Sequence, residues 1–359
     1  MPRPPRVPRE ANRNRILTGE PLDLPRMRML VTGAAGFIGS NFVRYWLDAH
    51  PGDQLVAYDL LTYAGNRASL EDVGGAIRFV EGDIADEELA GRVLREEAID
   101  TIVNFAAESH NSLAVVDPGR FFQTNVIGTQ RLLEASRQVG LARFHHVSTC
   151  EVYGDLPLEG GEAFTEETPY RPRTPYNASK AAADHAVRAY FETYGLSITI
   201  TNCSNNYGPF QFPEKVIPLF VTNALDDEPL PMYASTENRR EWLHVADHCS
   251  AIDRVLADGR EGETYNVGSS FEASIEEIAD RVLTLLEKPA ELKTIVPDRP
   301  GHDRRYLLDA SKISRELGWS PQRVFDEGLA ETVEWYAENR TWWEPLKRRA
   351  PVRETAWRT

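Results

Sequence analysis

The segment VTGAAGFIGSNF restricts the fold more than any other part of the chain. It sets Gly33, Gly36 and Gly39 between a β-rich run, MRMLVTG, and a helical pattern, IGSNFVRYWLDAH. Glycine suits such a turn for three reasons: the turn is tight, the backbone must approach a pyrophosphate with no Cβ in the way, and the helix must begin close to the sheet. Main-chain N–H groups, with Phe37 and Ile38 in the same segment, then face phosphates at the positive end of the helix. A glycine triplet alone marks only a turn. Asp59 adds context, because it closes the next strand, QLVAYDL, 20 residues after Gly39. A carboxylate there accepts hydrogen bonds from an adenosine ribose and repels a 2′-phosphate, so the expected cofactor is NAD and not NADP. The segment EGDI follows a third strand, which would put Asp83 and Ile84 near the adenine; by itself it is equally well a turn.

From Met27 onward strands and helices alternate through IRFVEGDI, DEELAGRVLREE, DTIVNFAA, a helical stretch from about Pro118 to Val139, and RFHHVST. This rhythm predicts an α/β fold, a Rossmann-type doubly wound parallel sheet with helices on both faces. After the amphipathic helix in YNASKAAADHAVRAYFETYG and the strand SITITNCS, the pattern becomes irregular and Pro-rich from about Tyr207, with helices expected in SIEEIADRVLTLLE and DASKISRELGW. At 359 residues the chain exceeds a usual single core. We therefore expect an NAD-binding domain over 27–205 and a smaller α/β C-terminal lobe over 206–340, with the chain crossing between them. The opening MPRPPRVPREANRNR has no apolar core of a secretory signal. Residues 1–26 read as a disordered arm or an over-long start.

A net charge of −15 disfavours nucleic acid, though local arginines could still hold a small anion. No apolar run approaches the roughly 18 residues of a membrane span, so no membrane partner is expected. Cys150, Cys203 and Cys249 are too few and too scattered for a disulfide framework or a metal site. We expect a reducing cytoplasm and no metal.

YNASK sets Tyr176 and Lys180 four apart, on one face of a helix. An ammonium beside a phenol lowers the phenol's pKa and lets it act as a base toward a sugar or alcohol hydroxyl. Ser148 and Thr149 supply hydroxyls at the end of a strand about 25 residues earlier.

These residues resemble the extended short-chain dehydrogenase/reductase family, with its glycine turn, Ser/Thr and Tyr-x-x-x-Lys pair. From Met27 to about Pro321 the chain is most similar to the dTDP-glucose 4,6-dehydratases, through YDLLTYAGN, NFAAESH, TNVIGTQRLLEA, EVYG, TNCSNNYGPFQFPEKVIPLF, REWLHVADH and DRPGHDRRYLLD. The resemblance implies an internal redox cycle on an NDP-hexose. Tyr176 takes the C4 hydroxyl proton as NAD oxidises C4, Lys180 tunes the phenol, and Thr149 bonds the C4 oxygen. Glu151 then removes the C5 proton, water leaves from C6, and hydride returns to C6, giving a 4-keto-6-deoxy sugar. Ala106 and Ala107 border the cofactor, and Ser109, His110, Asn205, Lys215, Tyr233, Arg240, Arg299 and His302 match contacts to the sugar nucleotide. The helices 118–139 and 176–194 match those that form a four-helix homodimer contact, although their apolar stripes could equally pack on the sheet.

Two departures stand out. Relatives carry Thr-Asp-Glu where this chain has Thr149, Cys150 and Glu151. Cys150 has three readings: a weaker acid, an inert residue with Glu151 carrying the proton alone, or the mark of a 5,6-dehydratase, whose Thr-Cys-Glu run it also resembles. After AAESH, a Val-Asp-Arg-Ser type segment is replaced by a loop, NSLAV, from Asn111 to Val115. An NDP-sugar 4-epimerase and a non-catalytic NAD or NDP-sugar sensor remain open alternatives. The sugar, the base and the pathway are not legible.

Overall fold

The computed structural model describes residues 26–349, so the expected arm over 1–26 lies, but for Arg26, outside the described residues. Twelve strands occur among them: β1 (Arg28–Thr32), β2 (Gln54–Asp59), β3 (Arg78–Glu81), β4 (Thr101–Asn104), β5 (Arg143–Thr149), β6 (Ile198–Cys203), β7 (Asn205–Tyr207), β8 (Leu230–Tyr233), β9 (Arg239–His244), β10 (Thr264–Val267), β11 (Glu272–Ser274) and β12 (Lys293–Val296). Seven form one sheet in the order β10-β6-β5-β4-β1-β2-β3, and all of its pairings are parallel. This is a Rossmann-type doubly wound sheet, and its strand order reverses between β1 and β4.

Strand alternation explains why both faces are covered. Met29 and Val31 of β1 point into one apolar layer with Phe42 and Trp46 of helix Phe37–Ala49 and Ile252 of helix Val245–Asp258. Leu30 points into the other, with Val93 of helix Glu87–Glu96, Leu132 of helix Thr129–Val139 and Val187 of helix Pro175–Tyr194. A strand buried on both sides needs apolar residues at every position, which is why MLV reads as a continuous run.

A separate core, built on Phe220, Trp242, Ile278, Val282, Leu329 and Trp343, belongs to the later part of the chain. There β7, β9 and β11 make a small sheet and β8 pairs with β12. The irregular reading beyond Tyr207 missed helices Val216–Leu225 and Val245–Asp258, and also β10. That strand is four residues long and pairs with β6 across about sixty residues of chain, a contact that no local pattern announces.

The segment NSLAV is helix Asn111–Val116 and not a loop. His110 caps it: Nδ1 accepts from the Leu113 N–H at 3.1 Å. Between Pro118 and Val139 the long helical stretch includes a π-helical section, Phe122–Gly128. It turns Asn125 inward, to bond the Glu108 main chain and the Ser179 hydroxyl.

Several histidines are buried in this frame. His248 lies inside helix Val245–Asp258 with Nδ1 3.0 Å from Asn206 Oδ1, and burial pushes its pKa down to about 3. A folded-state pKa below the unfolded value means that the unfolded chain binds the proton more readily. Stability from this group is present above about pH 6.5 and is lost as pH falls toward 3. Between pH 7.5 and 5.0 the His248 contribution falls by about 2 kcal/mol. Denaturant melts at the two pH values should show that drop shrinking by this amount in His248→Asn; an unchanged pH dependence would mean that His248 titrates normally.

Candidate active site

A cleft runs along the carboxyl ends of the strands where their order reverses, the place where open parallel sheets take ligands. Its floor is the glycine turn. Gly33 has φ +64°, and a Cβ on it would lie 2.7 Å from Ala106 N; a Cβ on Gly39 would lie 2.2 Å from Gly33 O. Both positions are closed to any side chain. Gly36 precedes helix Phe37–Ala49 and leaves the helix N-terminus bare. At the end of β2, Asp59 accepts from Ala35 N–H at 2.9 Å and from Leu61 N–H at 2.8 Å. Burial raises its pKa, and the two N–H bonds oppose that. The cleft is lined further by Phe37, Ile38, Asp83, Ile84, Ala106 and Ala107. A cradle that a Cβ would fill, a bare helix end and a ribose acceptor fit a dinucleotide.

Thr149, Glu151, Tyr176 and Lys180 line the same cleft. Helix Pro175–Tyr194 begins at Thr174, whose hydroxyl accepts from Asn177 N–H, and Pro175 fixes the first turn. The next turns put Tyr176, Lys180 and Asp184 on one buried face. Two influences oppose the one expected of Lys180. Burial, and after it the Glu151 charge, push Tyr176 well above its ordinary value. The Lys180 ammonium is turned inward, donating to Val147 O at 2.8 Å.

Beneath Lys180 lies a network that the sequence reading missed. Thr32 donates to Asn104 Oδ1, Asn104 Nδ2 meets His146 Nδ1 at 3.1 Å, and Lys180 Nζ lies 3.4 Å from His146 Nε2. That nitrogen is 3.5 Å from Asp184 Oδ1, while Ser148 and Tyr170 each donate to Asp184 Oδ2 at 2.9 Å. Burial lowers the Lys180 pKa, and the Asp184 charge raises it. The signal was present: Asp184 stands four residues after Lys180, as Lys180 does after Tyr176.

Cys150 is only 1% exposed and does not line the cleft. It packs among Val152, Tyr153, Phe164, Tyr306 and Leu308, and burial pushes its thiol pKa well up. The thiol in the cleft wall is that of Cys203, 3.4 Å from Ser148 O. Glu151 instead meets Asn111, whose Nδ2 donates to Oε2 at 3.0 Å.

The opposite wall comes from the second core. Lys215 donates to Ser109 O at 2.8 Å, and Ser109, Asn205 and Lys215 line the cleft. His110 Nε2 lies 3.4 Å from Glu214 Oε2. Burial pushes Glu214 up to about 7 and His110 down to about 3, so this is a contact with a neutral imidazole and not an ion pair. Tyr233, Arg240, Arg299 and His302 stand behind this wall. Tyr233 stacks edge-on to His302 at 5.1 Å and reaches Ser112 at 3.4 Å. Arg240 donates to the carbonyls of Arg239, Asp303 and Arg304 and lies over Tyr306. Asn205 Oδ1 and Arg299 Nη1 are among the buried polar atoms that have no hydrogen-bond partner among the described residues, as are Ser204 Oγ and Glu214 Oε2 on the cleft lining. Of these, the open acceptor of Asn205 and the open cationic donor of Arg299 suit an anionic, hydroxylated ligand.

Comparison with known proteins agrees with this geometry. The family model described as GDP-mannose 4,6 dehydratase matches residues 30–332. A dTDP-glucose 4,6-dehydratase of Xanthomonas campestris pv. campestris is 52% identical over 334 residues, covering 87% of this chain and 94% of that protein. One from Streptomyces niveus is 49% identical over 327 residues, covering 89% and 96%. The crystal structure of DesIV, the dTDP-glucose 4,6-dehydratase of Streptomyces venezuelae, with NAD and TYD bound, is 51% identical with a TM-score of 0.86, covering 89% of this chain and 100% of that one. A UDP-glucose 4-epimerase from Thermotoga maritima is similar at 28% identity and a TM-score of 0.81, covering 88% and 100%. No helix among the described residues is long and apolar enough to cross a membrane.

The carboxylate of Asp59 is what should keep a 2′-phosphate out. Asp59→Asn is expected to cut the preference for NAD over NADP by about tenfold or more, equivalent to about 1.4 kcal/mol. Titration of the protein with each dinucleotide measures this, and an unchanged ratio would take selectivity away from Asp59.

Proposed function

The chain belongs to the GDP-mannose 4,6 dehydratase family, and on that premise we propose that it is an NAD-dependent dTDP-glucose 4,6-dehydratase, a hydro-lyase that releases a 4-keto-6-deoxy sugar. The observation that carries this reading is a carboxylate, Glu151, lining the same cleft as Thr149, Tyr176 and the glycine cradle. Exchange of configuration at C4 needs only the phenol and the cofactor. Loss of water across C5 and C6 also needs a base for C5–H.

Gly33, Gly36, Gly39 and Asp59 would hold NAD, with Asp83 and Ile84 toward the adenine. Bound NAD would supply an electron sink for C4 and a positive charge beside the phenol, and return of the same hydride to C6, with a proton added at C5, would complete the 4-keto-6-deoxy product with no net oxidation. Tyr176 takes the proton of the C4 hydroxyl, with Thr149 bonding to the same oxygen. The carbonyl at C4 acidifies C5–H, which Glu151 removes. The electron pair left at C5 forms the C5–C6 double bond as the C6–O6 bond breaks, and O6 leaves as water with the proton that Glu151 has just taken. We assign both proton movements to Glu151 because Cys150 is packed in an apolar cluster off the cleft lining and its raised pKa makes the thiol a poor proton donor.

The sugar nucleotide would lie against Ser109, Asn205 and Lys215, with its diphosphate toward Arg299. Residues 27–205 thus hold mainly the cofactor and 206–340 mainly the substrate, with the chain returning to the first sheet at β10. A homodimer through 118–139 and 175–194 is supported by exposed Phe122, Ile127 and Tyr194 on those stretches. A reducing cytoplasm suits three free, buried cysteines.

Proton NMR of the product from dTDP-glucose tests the reaction. A C6 methyl doublet is expected; vinylic signals alone would replace this reading with 5,6-dehydration, and no turnover would favour a sensor. Glu151→Gln should lower kcat by about 10² to 10⁴. Cys150→Ala should stay within about threefold of the parent, since general acid catalysis by Cys150 would be worth far more. A large loss in Cys150→Ala at unchanged stability would return the thiol to the proton path.

A further inference from the structure

Asn111 stands at the first position of helix Asn111–Val116, forty residues from Glu151 in sequence, yet it joins two ends of the reaction site. Its Nδ2 donates to Glu151 Oε2 at 3.0 Å, and its Oδ1 accepts from the Thr174 hydroxyl at 3.0 Å. The second bond fixes the amide. Thr174 accepts from Asn177 N–H at 3.2 Å, so its one hydroxyl proton is free to go to Asn111. With Oδ1 engaged there, only the N–H side of the amide faces the carboxylate. The chain of bonds begins at the N-terminus of helix Pro175–Tyr194, which carries Tyr176 and Lys180.

We propose that Asn111 is a positioning residue for Glu151, tying the base that acts at C5 to the helix whose phenol acts at C4. This rests on the dehydratase reading above. One carboxylate oxygen, Oε2, is committed to the amide. Oε1 takes no hydrogen bond among the described residues, and Glu151 lines the cleft. In the step itself the C5 proton passes to Oε1, the electron pair it leaves becomes the C5–C6 double bond as the C6–O6 bond breaks, and O6 departs as water with the proton handed on from Oε1. The amide donates to the carboxylate throughout, so the oxygen that takes the proton is the one not held by Asn111. The position falls in the segment NSLAV, where the sequence leaves the pattern of its relatives. The neighbouring residues of that segment serve elsewhere: Ser112 reaches Tyr233, while Leu113 and Ala114 are buried beside Tyr176.

The test uses the full-length enzyme with NAD and dTDP-glucose, unlabelled or carrying deuterium at C5. Asn111→Leu removes the donor. Asn111→Asp keeps the shape, so it guards against loss of folding, and it sets a second carboxylate against Oε2. In both variants kcat should fall by about 10- to 100-fold, the range for one hydrogen bond to a charged group. KM should stay within about twofold, and the C5 isotope effect on kcat should rise as proton removal becomes slower than the other steps. A merely structural role would leave that isotope effect where it is in the parent. The proposal is overturned if either folded variant keeps kcat within twofold, or if kcat falls with the C5 isotope effect unchanged. A parent enzyme inactive toward dTDP-glucose would instead overturn the dehydratase reading, and that outcome is read before any variant is made.

Discussion

The arrangement of the site depends on one buried contact, the Lys180 ammonium donating to the carbonyl of Val147. A buried cation is costly unless it is hydrogen-bonded and faces a counter-charge. Here the carbonyl comes from β5 and the counter-charge from Asp184, one turn further along the same helix. Satisfying Lys180 therefore pins helix Pro175–Tyr194 to β5 at a fixed register. Two residues beyond Val147, β5 ends in Thr149, and Glu151 follows at once. The phenol at the start of the helix and the carboxylate at the end of the strand are thereby held across the same opening.

That anchoring has an electrostatic consequence. Tyr176, Lys180 and Asp184 are all buried, and each is pushed by burial toward its uncharged form. Burial thus disfavours the phenolate of Tyr176. A cationic cofactor ring bound in the cradle would favour the phenolate. The Asn111 contact with Glu151 is a hydrogen bond to a carboxylate, which is stronger than one between neutral groups.

The thiol of Cys150 illustrates how neighbours in sequence part company in space. Thr149 and Glu151 face the cleft, and Cys150 between them, at the start of the 3₁₀ turn Cys150–Tyr153, faces the apolar cluster around Tyr153 and Phe164. Proximity in the run Thr-Cys-Glu is no guide to a shared task. Cys203 reaches the cleft from the adjacent strand β6, in register with Thr149.

Much of the fold and part of the site were legible in the sequence because their physical causes are local. The glycine turn is closed to side chains by its own backbone. The apolar strands follow from burial on two faces, and the four-residue spacing of Tyr176 and Lys180 follows from the pitch of a helix. Asp184 continues that spacing and was readable, though it was passed over. Asn111, the return of β10 to the main sheet, the inward turn of Lys180 and the outward packing of Cys150 were not. Each rests on contacts between segments tens of residues apart, or on which side of a strand end is dry. The sequence by itself determined which elements form and which chemical groups they carry, since propensity and periodicity act over a few residues. Only the tertiary structure decided which of those groups meet and which keep their protons, because burial and long-range hydrogen bonds exist only once the chain has closed on itself.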